Sequence, residues 1–372
     1  MKSISRAIAL TGAGILTLAA CGAPPEESAS SGGSDGGSGA TSDFKACMVS
    51  DQGGFDDKSF NESGFTGLTA AKEKLGIETS TAESTDPAQF ATNIDNLVSQ
   101  DCNLIFTVGF LLAPATGTAA QANEDVEFAI IDSTAQDADG KAIEVGNVKP
   151  LSFDTAQAAY LAGYVAAGTS KTGKVATYGG MQIPTVTIFM DGFADGVAKY
   201  NEVHKADVQL MGWDKDTQKG SFTGDFEDQS KGKALSDTFY SQGADIVMPV
   251  AGPVGSGTLA SAKEADGRYV VWVDSDGYES VDDDSAKPLI LTSVMKGIAP
   301  AVEDVATAAS SDDFSNEPYV GTLENEGVGL APYHDLDAQV PGELKSEVDQ
   351  LKADIISGKI TVESDASPQN LG

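Results

Sequence analysis

Residues able to hold a small polar molecule stand where short apolar runs of this chain end. The densest group is Asp51–Asn61, DQGGFDDKSFN, directly after the apolar run Phe44–Ser50. Asp51 can accept two hydrogen bonds, Phe60 can offer a flat face, and Asn61 can donate and accept at once. Gly53-Gly54 is read as setting the turn through backbone angles that other residues avoid. EFAIIDS at Glu127–Ser133 places a carboxylate, Asp132, at a strand end, and the run Tyr269–Asp274 ends in another, Asp274. Two carboxylates facing one cleft can bind vicinal hydroxyls, as on ribose, or act as general acid and base. Lys296, in the MKG turn after the run Leu289–Ser293, can pair with Asp274 and hold a sugar hydroxyl. As a merely exposed first-turn lysine it would oppose the helix dipole. AGPVGSG at Ala251–Gly257 allows close backbone approach to a ligand at Gly252, and GSF at Gly220–Phe222 offers a second ring, Phe222. The plainer readings are a helix cap at Asp56 or Ser59, a core position for Phe60, and ordinary turn packing at Ala251–Gly257.

Motifs of catalysis are missing from this set. The chain has no nucleophile elbow, no His-Glu-x-x-His, no Cys/His cluster, no G-x-G-x-x-G and no phosphate loop ending in Gly-Lys-Ser/Thr. The two histidines, His204 and His334, read as surface or packing residues. DSDG at Asp274–Gly277 lacks the later acid and the final Glu of a calcium loop. A binding protein is expected over an enzyme, with no cofactor and no metal.

The elements that must position these groups follow from periodicity. Candidate strands are Ala46–Ser50, Ile77–Ala82, Leu104–Val108, Glu127–Ile131 and Ile143–Val148, then Lys174–Tyr178, Val208–Gly212, Asp245–Pro249, Tyr269–Asp274 and Leu289–Ser293. Helical periods lie between them at Gly64–Leu75, Pro87–Gln100, Thr155–Ala167, Thr185–Tyr200, Gln229–Gln242, Ser256–Glu264 and Gly297–Ala309. Asp86-Pro87 supplies an N-cap and a first-turn proline. This alternation predicts an α/β protein with parallel sheets covered on both faces. Its length predicts two lobes. Residues 43–150 with 290–320 are assigned to the first lobe, and 151–289 with 321–372 to the second. Glu317–Leu330 reads as short extended pieces that cross between lobes again, and Pro341–Ser357 as a closing helix. In such sheets, ligands bind in the crevice beyond the carboxyl ends of the strands.

The amino terminus reads as an export signal. Residues 1–20 carry Lys2, Arg6 and the apolar stretch Ala7–Leu18, and Leu18-Ala19-Ala20-Cys21 matches a bacterial lipobox. Cys21 is the expected lipid attachment point, which places the protein outside the cytoplasm on the cell membrane. Residues 21–42, rich in Gly and Ser, are read as a flexible tether. The formal charge is −33, from 56 acidic and 23 basic residues. Such a chain repels nucleic-acid polymers and anionic lipid. With Cys21 lipidated, Cys47 and Cys102 remain near the starts of neighbouring strands, as a disulfide or as two buried thiols.

Taken together, these phrases resemble the basic membrane protein family, extracytoplasmic lipoproteins that include the PnrA-like purine nucleoside receptors. The resemblance runs through DQGGFDDKSFN, TVGF at Thr107–Phe110, AIID at Ala129–Asp132 and AYLAGYVAA at Ala159–Ala167. It continues in GGMQIP at Gly179–Pro184, GFADGV at Gly192–Val197 and GSF, then in GADIVMPVAG at Gly243–Gly252, VDSDGY at Val273–Tyr278 and SVMKG at Ser293–Gly297. It implies a type I periplasmic-binding-protein fold, two doubly wound α/β lobes joined by a three-segment hinge. It implies a monomer that captures a nucleoside for the permease subunits of an ABC importer. By motif position, Phe60 would stack on the base, with Phe222 as a second face and Gly252 as a backbone contact. Asp51, Asn61 and Asp132 would bond base or sugar edges, and Asp274 with Lys296 would hold the ribose. Where many relatives carry a glycine pair, this chain has Pro253-Val254. The competing readings are a receptor of the same fold for a sugar or another heterocycle, a surface adhesin or signalling lipoprotein, and a nucleoside-cleaving enzyme.

Overall fold

A computed structural model describes residues 44–368; the leader, Cys21 and the tether expected at 1–42 lie outside the described residues. The strands are β1 (Lys45–Val49), β2 (Glu78–Ala82), β3 (Leu104–Val108), β4 (Glu127–Ile131), β5 (Val148–Phe153), β6 (Lys174–Gly179), β7 (Gln209–Met211), β8 (Trp213–Asp214), β9 (Lys219–Gly220), β10 (Ile246–Val250), β11 (Tyr269–Asp274), β12 (Ile290–Lys296), β13 (Tyr319–Gly321) and β14 (Val328–Leu330). The helices are α1 (Phe60–Leu75), α2 (Phe90–Val98), α3 (Ala113–Ala122), α4 (Thr155–Thr169), α5 (Pro184–His204), α6 (Gln229–Ser241), α7 (Gly255–Ala262), α8 (Gly277–Ser280), α9 (Ile298–Ala309) and α10 (Gly342–Ile356). Two six-stranded sheets result, ordered β13-β5-β4-β3-β1-β2 and β14-β12-β11-β10-β6-β7. All pairings in them are parallel except β12 with β14. This is the two-lobed periplasmic-binding-protein architecture.

The two sheets repeat one plan. Read outward, β5-β4-β3-β1-β2 and β12-β11-β10-β6-β7 are the same order of successive strands. In each, the order reverses between the first strand and the third, which makes that point a crevice beyond the strand ends. The central strands β3 and β10 are buried along their whole length, as apolar runs in a doubly covered sheet must be.

Three crossings join the sheets. β5 of the first sheet leads into α4, which packs on α5 and on β12 of the second. β12 of the second sheet leads into α9, which packs on α1 beside the first. The third crossing runs from β13 to β14. These pairings correct two of the expected boundaries. β12, assigned by sequence to the first lobe, pairs with β11 in the second sheet, so the chain crosses at Gly297 and not at 290. β5 extends to Phe153, so the first crossing falls beyond 150.

Local corrections have clear causes. The strand expected at Ile143–Val148 lies instead at Val148–Phe153, with Pro150 opposite Ile130. A proline without an N–H hides such a strand in the sequence. Helix α3, APATGTAAQA, received no assignment because it has no large apolar residue to mark a buried face. Helix α4 is buried almost all round. It meets α5 backbone to backbone: a Cβ on Gly163 would lie 2.1 Å from the Phe193 carbonyl oxygen, and one on Gly196 2.0 Å from that of Tyr160. The glycines of AYLAGYVAA and GFADGV are therefore packing positions.

A disulfide joins Cys47 on β1 to Cys102, just before β3, across Cα atoms 6.0 Å apart and 55 residues of chain. On the chain-entropy model, closing a loop of that length stabilises the fold by about 4 kcal/mol. Thiol labelling of denatured, unreduced protein should find neither cysteine free. Replacing both with alanine should lower the unfolding free energy from denaturant titration by an amount near that figure; an unchanged free energy would remove the disulfide from the stability of this lobe.

Candidate functional site

The loop after β1 is organised by Asp57. Its buried carboxylate accepts the backbone N–H groups of Ser59 (3.0 Å), Asn61 (2.8 Å) and Glu62 (3.0 Å). Those are donors at the start of α1 with no partner inside the helix. The cap is thus Asp57, not Asp56 or Ser59, and it starts α1 at Phe60, four residues earlier than expected. Phe60 and Asn61 are held in the first turn as a result. The Asn61 amide donates to Asp51 Oδ1 (2.9 Å) and to Asp57 Oδ2 (3.1 Å), while its oxygen accepts the Asp51 N–H (3.2 Å). Asn61 is buried, and it braces Asp51 with both ends of its amide. Room for the Asp51 carboxylate comes from Gly109 after β3, where a Cβ would lie 2.2 Å from Asp51 Oδ2.

Asp132 and Asp274 occupy matching places in the two lobes, at the ends of β4 and β11. Both adopt the left-handed conformation, with φ of 64° and 69°. That region is uncommon for residues other than glycine and turns each carboxylate out of its sheet. Between them lies Lys296, the last residue of β12. Its Nζ contacts Asp132 Oδ2 and stands 3.5 Å from Asp274 Oδ1. Only 3% of the lysine side chain is exposed. The same ammonium sits 4.9 Å from the Phe60 ring centroid and 5.0 Å from that of Phe189. Burial opposes its charge, but Asp132 and Asp274 outweigh that effect and hold the ammonium above the usual lysine value. Burial pushes the Asp132 carboxyl up, against the pull of Lys296. Asp274 Oδ2 accepts the Ser59 hydroxyl (2.9 Å) from the opposite lobe. Its Oδ1 is buried and has no hydrogen-bond partner among the described residues.

These groups line one cavity between the lobes. Asp51, Phe60, Asn61, Asp132, Gly252, Asp274 and Lys296 all face it. Phe222 does not. Its ring packs edge-on against Trp213, with centroids 6.0 Å apart, and against Gly179. The sequence reading missed Phe110, Phe189 and Phe226, which do line the cavity. Phe110, in TVGF just after the central strand β3, carried no polar mark of a strand end. Phe226 lies one helical turn of sequence beyond the ring that was chosen. Pro253 closes the cavity from the second lobe, with its ring against Gly53 of the first.

The lobes are also fastened beside the cavity. The Lys58 carbonyl accepts Trp272 Nε1 (3.2 Å) and the hydroxyls of Ser275 (3.0 Å) and Ser280 (2.9 Å), all from the second lobe. The Lys58 ammonium lies 3.1 Å from Asp282. The histidines stand elsewhere. His204 bonds Glu347 and Tyr164, and His334 bonds Asp276 and stacks on Tyr278. Asp276, in the stretch compared with a calcium loop, accepts the Tyr278 N–H and begins α8.

Burial pushes the Asp51 carboxyl up to about 8 from 3.8, with Asn61 pulling it down and Asp57, Asp132 and Asp274 adding repulsion. Between those two values the folded chain holds a proton that the unfolded chain has lost. Stability of the unliganded protein should therefore fall as pH rises through this window, by at most about 1.4 kcal/mol per pH unit, and level off above it. Asp51→Asn should flatten that slope in melts taken across the window. Parallel curves for wild type and variant would mean that the carboxyl is already ionised in the fold.

A family model for PnrA-like ABC transporter substrate-binding proteins matches residues 44–366. The chain is 33% identical over 339 residues to an ABC transporter nucleoside-binding protein, BmpA, of Lactococcus lactis, covering 87% of this chain and 90% of that one. It is 30% identical over 323 residues to basic membrane protein A of Borreliella burgdorferi, covering 86% and 88%. A solved solute-binding protein of an Aeropyrum pernix ABC transporter superposes with a TM-score of 0.75 at 23% identity, covering 88% and 98%, a likeness of fold. Fold, motif order and the family match agree, and the chain belongs to the PnrA-like family of ABC transporter substrate-binding proteins.

Proposed function

We propose that this protein captures a purine nucleoside between its lobes and delivers it, chemically unchanged, to an ABC importer. The observation that carries this reading is the arrangement of Asp132, Lys296 and Asp274. Two carboxylates and a buried ammonium, drawn from both lobes, bracket a space where vicinal hydroxyls find acceptors on both sides and a donor between. The Oδ1 of Asp274 faces the Lys296 ammonium at 3.5 Å but accepts no hydrogen bond among the described residues, and a ribose hydroxyl would supply one. Phe60 offers the base a ring, worth about 1–3 kcal/mol in stacking. Asp51, fixed by Asn61, meets the base edge, and Phe226 takes the stacking role first given to Phe222. Lys296, the cation in the cavity, is already engaged by Asp132 and Asp274 and is not free to pair with a phosphate, so a nucleoside fits better than a nucleotide. The Lactococcus lactis relative, described as nucleoside-binding, supports the same ligand class. Lipid on Cys21 tethers the monomer outside the cytoplasm; among the described residues no helix is long and apolar enough to cross a membrane.

Calorimetry with purine nucleosides, free bases, nucleotides and pentoses should give one nucleoside site per chain. A ligand at 100 times its dissociation constant should add about 2.7 kcal/mol of stability. Chromatography should recover the nucleoside intact, whereas release of free base and ribose would replace the receptor with a hydrolase. Phe60→Ala should weaken nucleoside binding by about 1–3 kcal/mol. Asp274→Asn and Lys296→Met should each weaken it by roughly 1.5–3 kcal/mol, and the double variant by less than their sum. Affinity for the free base should barely change in any of those three. An equal loss for free base would take the ribose away from this pair.

A further inference from the structure

The loop after β1 reaches the second lobe through groups that stand outside the cavity. Its Lys58 carbonyl accepts Trp272 Nε1 at 3.2 Å and the hydroxyls of Ser275 and Ser280 at 3.0 and 2.9 Å. A carbonyl oxygen has two lone pairs, so three donors converge where two would saturate it. Ser59, next in the chain and fully buried, places its hydroxyl 3.1 Å from the Val273 carbonyl oxygen and 2.9 Å from Asp274 Oδ2. Lys58, Ser59, Trp272, Ser275 and Ser280 do not line the cavity. Each of these bonds joins protein to protein, and none waits for a ligand. The segment is also held ready by its own lobe. Asp57 accepts the N–H groups of Ser59, Asn61 and Glu62, and Lys58 is kept in the left-handed conformation with φ of 58°. A segment fixed in this way loses little further conformational freedom when the other lobe meets it.

We propose that Lys58 and Ser59 form a latch that closes the lobes by itself, so that the protein rests closed and a ligand enters when the latch opens. The inference rests on the cavity as the ligand site, and not on the ligand being a purine nucleoside. Bonds made in the closed state with and without ligand stabilise both states equally. They cancel from the equilibrium affinity and slow entry and escape alike. If the empty lobes stood apart, the same bonds would form only around a ligand and would add their whole strength to affinity. Ser59 is a positioning residue within the latch. Its hydroxyl fixes Asp274, so closing the lobes and setting that carboxylate are one event.

The chain has two tryptophans, and their indole N–H groups report the outcome. Trp272 donates across the lobes, while Trp213 donates to Asp191 within the second lobe at 2.9 Å. The measurement is hydrogen exchange on protein dialysed free of ligand. Ser275→Ala together with Ser280→Ala should speed exchange at the Trp272 indole by about tenfold or more and leave Trp213 unchanged. Either change alone should do much less, since two donors remain on the carbonyl. Equal exchange at Trp272 in wild type and the double variant would overturn the latch. Ser59→Ala, which removes the other half of the latch, gives the same exchange readout if the double variant does not fold. Stopped-flow binding of adenosine, guanosine and inosine supplies the second arm. In the double variant, entry and escape should both be faster by about tenfold, with affinity within about threefold. An unchanged entry rate with affinity weakened about tenfold would mean that the empty lobes stand apart, and would overturn the latch. Failure of every nucleoside to bind would overturn the purine reading and leave the latch to be decided by indole exchange alone.

Discussion

Lys296 is the residue whose burial the rest of the site has to answer for. An ammonium removed from water is stable only if carboxylates and hydrogen bonds replace its hydration. Here the replacements come from β4 in one lobe and β11 in the other, while the lysine ends β12, directly before the chain crosses between them. The ion cluster therefore joins both lobes and the hinge in a single contact. Such clusters are weak sources of stability, because desolvation offsets most of the attraction, yet losing one member leaves a buried charge uncompensated at a cost of about 3–5 kcal/mol. What the cluster gives this protein is geometry. It sets how far apart Asp132 and Asp274 stand, and it does so only when the lobes are together.

That geometry descends from the repetition of one sheet plan. Equivalent strand ends in the two lobes carry the aspartates in equivalent left-handed conformations, so the approximate symmetry of the fold reappears as two carboxylates on either side of one cation. The asymmetry lies in the loops. The first lobe spends its loop after β1 on Asp57, which caps a helix and thereby fixes Phe60, Asn61 and, through Asn61, Asp51. The second lobe answers with Pro253 and Gly252, which close the space without a charge. Part of this site is set before a ligand arrives: Asp51 is braced by Asn61, and Asp274 by the Ser59 hydroxyl.

Much of this was legible in the sequence, and the exceptions share a cause. Apolar runs ending in Asp51, Asp132 and Asp274 marked the crevice, because parallel strands are apolar throughout and the first polar residue after them stands at the rim. Phe110 lies outside that rule, because an apolar ring after β3 reads as a continuation of the strand. Asn61 was read as a ligand contact, while its amide is committed to Asp51 and Asp57; hydrogen bonds between side chains ten residues apart leave no periodic trace. Phe222 was named from GSF, and Phe226 carried no mark of its own. Both are phenylalanines in one irregular loop, and only the packing of Phe222 on Trp213 and Gly179 separates them. The boundary at 290 failed because β12 and α9 are contiguous in sequence but belong to opposite lobes. Nothing in SVMKG announces that the chain changes sheets at Gly297.

The bonds at Lys58 bear on how this protein can vary by descent. Its three acceptances from Trp272, Ser275 and Ser280 are made by a main-chain carbonyl, at a residue with φ of 58°. Any side chain that tolerates that conformation leaves the acceptor in place, so drift at position 58 spares these three bonds and puts only the ammonium's pairing with Asp282 at risk. The donors are different. They are side chains, and each can be erased by a single codon change. Variation that loosens the union of the lobes should therefore accumulate on the second lobe, while the first presents the same oxygen generation after generation.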